Sequence, residues 1–104
     1  MYRNAFMMKL KPGFQAEYKK RHDEIWPELS ALLSEAGISE YSIFLDEETL
    51  TLFAFQKLAD NFNGSAIPKH PIVKKWWDHM ADIMETNPDN SPQTRPLQEV
   101  FFME

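Results

Sequence analysis

The chain has 104 residues, 43% of them hydrophobic and 26% charged, which is enough to bury the core of one domain spanning residues 1–104 without metal or disulfide support. Its formal net charge of −5 repels phosphate backbones and anionic lipid, so we do not expect nucleic acid or membrane surfaces as partners. There is no cysteine, which excludes disulfide bonds, thiol catalysis and thiolate metal sites.

The N-terminal segment predicts a first strand. From Tyr2 to Leu10 the side chains alternate between two faces, and Pro12 with Gly13 then marks a turn. The apolar run ends too early, at Lys9, for a signal peptide, and no other stretch approaches the length of a membrane span. We therefore expect the protein to reside in the cytoplasm.

One long helix is expected next, from Phe14 to Ala36. Its apolar residues recur at spacings of three and four, and Gly37 occupies the place of a C-terminal cap. Pro27 interrupts this pattern, because a proline inside a helix removes one backbone hydrogen bond and disfavours helical geometry at the preceding residue. The sequence thus predicts a kink or a restart near Trp26.

The middle of the chain predicts a β-hairpin. Residues 40–46 and 50–56 are rich in β-forming side chains, and a short acidic turn joins them. Residues 58–71 are broken by asparagines, a glycine and prolines, so we expect only a short helical turn and a loop there.

The C-terminal part predicts a second helix and a last strand. Pro71 suits the first turn of a helix, whose apolar positions continue to about Met84. Residues 87–96 carry three prolines and two asparagines and are expected to form a loop. The segment from Leu97 to Met103 is then predicted as the final strand.

The order β-α-β-β-α-β indicates an α+β fold: a ferredoxin-like sandwich in which two helices pack on one face of a four-stranded antiparallel sheet. Its strands are apolar on both faces, although a face exposed to water should be polar. An exposed apolar face usually marks an interface, so we expect a homodimer with two sheets packed face to face.

His22 is the candidate catalytic residue. It lies four residues after Tyr18 and four before Trp26, so it projects from the inward stripe of the long helix. A lone histidine in such a stripe is more often buried in the core than catalytic. The surrounding charged residues, the Tyr18 hydroxyl and the irregularity at Pro27 favour the rim of a pocket instead, where an imidazole can exchange protons near neutral pH.

The other polar and aromatic features are less specific. The basic groups at residues 19–21 and 74–75 are interpreted as solvated helix faces rather than a phosphate site, and the three histidines lack the spacing of metal ligands. Trp76 and Trp77 point about 100° apart on a helix, so one apolar stripe cannot bury both equally. One of them is expected to anchor the helix and the other to stack on the C–H face of a sugar.

Five segments together resemble the L-rhamnose mutarotase family over the whole length of the chain. They are YKKRHDEIWPEL (18–29), YSIFLD (41–46), KKWWDHM (74–80), NPDNSP (87–92) and LQEVFF (97–102). The resemblance implies a dimeric α/β barrel, with His22 as proton donor. It also implies that the sugar is bound by four aromatic residues, namely Tyr18, Tyr41, Trp76 and Trp77. Residues 59–71 depart from the family by looking less helical.

The reaction implied by this resemblance interconverts the α and β anomers of L-rhamnose and requires no cofactor. Ring opening needs a proton delivered to the ring oxygen and one removed from the anomeric hydroxyl. The resemblance implies that His22 makes the first transfer. It leaves the base open among Tyr41, a carboxylate such as Asp89 and an ordered water.

Two other functions remain compatible with the residues alone. The first is a cofactor-free monooxygenase with the same type of dimeric barrel, which would consume oxygen. The second is a non-enzymatic sugar-binding or interaction module in which His22 only packs. Such a module would bind sugar without accelerating anomer exchange.

Overall fold

Four strands and three helices follow one another in the order expected for a ferredoxin-like sandwich. The computed structural model describes residues 1–104. Its elements are β1 (Tyr2–Lys9), α1 (Gln15–Asp23), α2 (Pro27–Ala36), β2 (Ile38–Asp46), β3 (Thr51–Leu58), a 3-10 helix (Gly64–Lys69), α3 (Pro71–Met80) and β4 (Arg95–Pro96). No helix is both long enough and apolar enough to cross a membrane.

The strands form a single antiparallel sheet in the order β2-β3-β1-β4. In its centre Phe6 pairs with Ala54 and Met8 pairs with Leu52, so these four residues share one face. This face carries the main core, which also includes Tyr18 of α1 and residues from the C-terminal end of α3 onward: Met80, Ile83 and Met84. The predicted α+β class, with a four-stranded antiparallel sheet and helices on one face, is confirmed.

The expected interruption of the long helix is confirmed. α1 ends at Asp23, and α2 starts at Pro27, whose missing N–H is harmless at the first helical position. The residue before it, Trp26, has an extended conformation, with a φ of −62° and a ψ of 129°. α2 then ends at Ala36 and is capped by Gly37, whose φ of 106° is the left-handed geometry that a glycine cap supplies.

A β-bulge lies in the middle of β2. Ser39 pairs with Lys57 and Ser42 pairs with Phe55, so Glu40 and Tyr41 together face a single residue of β3. Glu40 carries the unusual backbone angle, with a φ of 46°. After the bulge Tyr41 has the same parity as Ile43 and Leu45, which pack against the main core.

The predicted last strand is wrong in its position. The fourth strand is Arg95–Pro96, which pairs with Met7 and Phe6, and residues 97–104 contain no strand. Pro96 has no N–H to donate, and after the bond from the Leu97 N–H to the Ala5 carbonyl the tail is held to β1 mainly by side chains.

α3 is shorter than expected: it ends at Met80, whereas the sequence predicted an end near Met84. The helical turn expected within residues 58–71 is the 3-10 helix.

The second face of the sheet is apolar and open. Met7, Phe53 and Phe44 lie side by side across three strands on this face. Phe44 is 62% exposed and Phe55 is 42% exposed. The expectation that both faces of the strands would be apolar is therefore confirmed, and the helices cover only one of them.

Candidate functional site

The His22 imidazole is held by its own helix. Its Nδ1 lies 3.0 Å from the carbonyl oxygen of Tyr18, one turn earlier in α1. Because a carbonyl can only accept a hydrogen bond, Nδ1 carries the proton and donates it. The Tyr18 ring stacks on the imidazole at 4.3 Å between ring centroids, with 28° between the planes. The second nitrogen, Nε2, is left as the atom that can exchange a proton.

Partial burial lowers the pKa of His22 below its ordinary value of 6.5. The hydrogen bond to the Tyr18 carbonyl and the nearby Asp23 carboxylate act in the opposite direction, but burial is the larger effect. At neutral pH the imidazole is therefore mainly uncharged, and its Nε2 offers a lone pair.

Trp76 of α3 faces the imidazole. The two ring centroids lie 5.5 Å apart, and the rings are nearly perpendicular, at 86°. Trp26, in the break between α1 and α2, meets Trp76 at 5.1 Å, and His79 lies against both indoles. Trp76 also packs on the main core, so it is fixed on one side and borders His22 on the other.

Trp77 lies elsewhere. It is half-buried and makes no ring contact with His22, Trp76 or the other aromatic residues of this group. On the helix it falls on the opposite flank of the buried Val73 and Met80 from Trp76. The structure therefore brings together Tyr18, His22 and Trp76 of the five predicted site residues, but not Trp77.

Tyr41 approaches the site from the sheet. It is close enough to Tyr18 to raise the pKa of that phenol, although burial of Tyr18 is the larger cause. Tyr41 is 40% exposed as a whole residue, yet burial around its hydroxyl raises its own pKa, and a hydrogen bond with Gln56 offsets this only in part. Both phenols therefore keep their protons at neutral pH and can donate hydrogen bonds to a ligand.

The carboxylate of Asp89 is engaged within its own loop. Its Oδ1 accepts hydrogen bonds from the Ser91 N–H at 3.0 Å and from the Ser91 hydroxyl, and these bonds lower its pKa. The loop is attached to Lys74 and Asp78, on the side of α3 about 160° away from Trp76. The structure does not place Asp89 with the aromatic group around His22.

A groove lies on the other face of the sheet. Its volume is about 650 Å³, and it is lined by Arg3, Phe55, Lys57 and the C-terminal residues 97–102. It contains no histidine and none of the aromatic residues that surround His22. The residues that can exchange protons or stack on a ligand therefore lie on the side of the sheet that carries the helices. The groove lies on the open face.

Three residues of this region were not singled out as site residues from the sequence. Trp26 and His79 complete the aromatic group. Helical spacing could have indicated both, because Trp26 lies four residues after His22 and His79 lies three residues after Trp76. Arg21 was grouped with the solvated basic residues, but its side chain is only 15% exposed and bonds to the end of α3. No sequence pattern indicates that contact, because its partners lie about 60 residues away.

The chain is similar in sequence to proteins named L-rhamnose mutarotase. A family model described by that name matches residues 3–103. A relative so named from Flavobacterium johnsoniae is 65% identical over 98% of this chain and 95% of its own length, and one from Formosa agariphila is 60% identical over 100% of both chains. A crystal structure of L-rhamnose mutarotase from Formosa agariphila superposes with a TM-score of 0.93 at 59% identity and covers 100% of both chains.

Proposed function

We propose that this chain, which belongs to the L-rhamnose mutarotase family, interconverts the α and β anomers of L-rhamnose with His22 as its acid–base residue. The observation that supports the assignment most directly is the hydrogen bond from Nδ1 to the Tyr18 carbonyl. It fixes the orientation of the ring and leaves Nε2 as the proton-exchanging atom beside Trp76.

The proposed mechanism uses Nε2 for both proton transfers. The neutral imidazole accepts the proton of the anomeric hydroxyl while the bond between C1 and the ring oxygen breaks, which produces the open aldehyde. The imidazolium then returns the proton to the former ring oxygen. Both oxygens are bonded to C1 in the closed sugar, so one nitrogen can reach each of them. Rotation about the C1–C2 bond and the same steps in reverse close the other anomer, with no net change in protons.

Using His22 for both transfers answers the question of the base that the sequence left open. Tyr41 is a weak candidate because a raised pKa keeps its phenol protonated at neutral pH. Asp89 is a weak candidate because Ser91 engages its carboxylate and lowers its basicity. Each step is a proton transfer to or from one imidazole, so the mechanism names no cofactor.

Three of the remaining predicted residues, Tyr18, Tyr41 and Trp76, bind the sugar in this proposal. Tyr18 and Tyr41 donate hydrogen bonds to sugar hydroxyls, since both phenols stay protonated. Trp76 offers the edge of an apolar wall to the C–H face of the sugar. Trp77, assigned to sugar binding by family resemblance, has no partner in the aromatic group and acts here as the residue that anchors the other flank of α3.

We further propose that the chain is a homodimer in which the open sheet faces of two copies pack together as a dimeric α/β barrel. The exposed Phe44 and Phe55 support this, because a monomer would leave a large apolar surface in water.

We also propose that the protein resides in the cytoplasm and that residues 1–104 form a single domain. Cell fractionation tests the first of these.

The decisive experiment is exchange NMR on the anomers of L-rhamnose with the His22→Ala variant. We expect the rate of anomer exchange catalysed by the enzyme to fall about 10²- to 10⁴-fold, the usual contribution of one acid–base group. The matched control is His70→Asn. It removes another histidine, and asparagine can replace the hydrogen bond by which His70 caps α3. A His22→Ala protein that melts normally and exchanges anomers as fast as the unmutated protein would refute the assignment.

A further inference from the structure

The guanidinium of Arg21 joins α1 to the C-terminal end of α3. Its Nη1 donates to the His79 carbonyl at 2.7 Å and to Asp82 at 2.8 Å, and Nη2 reaches the second oxygen of Asp82 at 3.3 Å. Its Nε donates to Glu17 at 2.7 Å. We call these four residues, namely Arg21, Glu17, His79 and Asp82, the Arg21 clamp.

The clamp joins two helices whose backbones stay apart. No Cα atom of α1 lies within 8 Å of a Cα atom of α3, so only side chains cross the gap. One crossing is the contact between His22 and Trp76. Tyr18 and Met80 belong to the same core cluster. Arg21, the residue immediately before His22, bonds to the backbone three residues after Trp76.

The physical setting favours a persistent contact at Arg21. The His79 carbonyl belongs to the last turn of α3, where carbonyls lack helical partners and the helix dipole attracts a cation. The Arg21 side chain is mostly shielded from solvent and engages two carboxylates at once. By contrast, the ion pair of Lys19 and Asp23 on the same helix is largely exposed, and such pairs add little.

We propose that Arg21 is a positioning residue that sets the position of the His22 imidazole relative to the Trp76 indole. This inference rests on the proposed function for its catalytic consequence, but the geometric part stands without it. Lysine cannot replace Arg21 fully, because an ammonium lacks the planar fork that reaches Glu17, His79 and Asp82 together.

The experiment compares Arg21→Met, Arg21→Lys and Asp82→Asn with the control Lys19→Met, which removes only the exposed ion pair of α1. Two quantities are measured: the NMR chemical shifts of the His22 ring protons, and kcat and KM for anomer exchange. Ring currents from Tyr18 and Trp76 make those shifts sensitive to the position of the imidazole.

We expect Arg21→Met to move the His22 shifts and to lower kcat about 10- to 100-fold, since small misplacements of a catalytic group cost rates of this order. Arg21→Lys and Asp82→Asn should give smaller changes in the same direction, and Lys19→Met should leave both quantities unchanged. If Arg21→Met does not fold, the other two variants decide. A lower melting temperature with unchanged His22 shifts and unchanged kcat in a folded variant overturns the proposal.

Failure of the proposed function gives a different result. In that case the unmutated protein does not accelerate exchange of rhamnose anomers. The His22 shifts of the Arg21 variants still report whether the clamp positions the ring.

Discussion

At the scale of single residues, the chemistry of the site depends on which atoms are already engaged. His22 donates from Nδ1 to the Tyr18 carbonyl, so Nε2 alone is available. Burial lowers the pKa of the imidazole and raises the pKa of both Tyr18 and Tyr41. The imidazole is therefore the one group of the three that changes charge near neutral pH.

The pH dependence of catalysis follows from this separation of pKa values. In the proposed mechanism the neutral form of His22 starts the reaction, and its pKa lies below 6.5. We expect kcat/KM for anomer exchange to rise with pH to a midpoint below 6.5 and then to stay level to about pH 9, since the tyrosines titrate later. Exchange NMR between about pH 5 and pH 9 measures this profile. A rate that decreases across the same midpoint would show that the imidazolium starts the reaction.

At the scale of elements, breaks in regular structure place the site. The interruption between α1 and α2 puts Trp26 against Trp76. The bulge in β2 inserts one extra residue, and Tyr41 follows it on the face that carries Ile43. The cap at Gly37 turns the chain from α2 directly into β2, so α2 and the strand that carries Tyr41 are joined without a loop.

The cap at Gly37 provides a test of this close connection. A Cβ added there would lie 3.2 Å from the Ala59 Cβ and 3.3 Å from the Phe62 Cα, and the φ of 106° disfavours any side chain. We expect Gly37→Ala to lower the free energy of unfolding by about 2–3 kcal/mol in urea titrations.

Gly13→Ala is the matched control for the packing part of that effect. Gly13 also has a positive φ, of 88°, but a Cβ there would meet nothing within 4 Å. The free energy of unfolding of the Gly13→Ala variant should fall by only about 1 kcal/mol, the cost of the backbone angle. Equal losses in the two variants would mean that the contacts with Ala59 and Phe62 do not matter.

At the scale of the whole molecule, the two faces of the sheet serve different purposes. One face carries the core and the candidate site, and the other exposes Phe44 and Phe55 beside a groove lined by the C-terminal tail. Arg3 connects the tail to this face, because it bonds to Glu99 and lies 3.4 Å from the centre of the Phe102 ring. A second copy packed on this face would cover these apolar groups.

The proposed dimer predicts that a charge on the open face separates the subunits. Phe44→Glu places a carboxylate where two sheets would meet, and burying it unpaired would be costly. Light scattering at micromolar concentration should give twice the 12.2 kDa chain mass for the unmutated protein and the single mass for this variant. Ser34→Glu, on the exposed side of α2, is the control and should stay dimeric. A monomeric unmutated protein would remove the dimer from the proposal.

The sequence by itself determined the features that depend on near neighbours in the chain. Spacings of three and four placed His22 on the inward side of α1, and Pro27 predicted the break. Apolar residues at both odd and even strand positions predicted strands that are apolar on both faces. Five segments together were also specific enough to identify the family. These signals are local, because helix and strand periods relate residues only a few positions apart.

Only the tertiary structure decided which distant residues meet. It placed Trp76 rather than Trp77 beside His22, and it connected Arg21 to Asp82, 61 positions later. It also showed that the last residues do not form the expected strand, since their side chains find no second layer to pack on within one chain. Such contacts depend on how whole elements pack, and a single sequence carries no local pattern that specifies them.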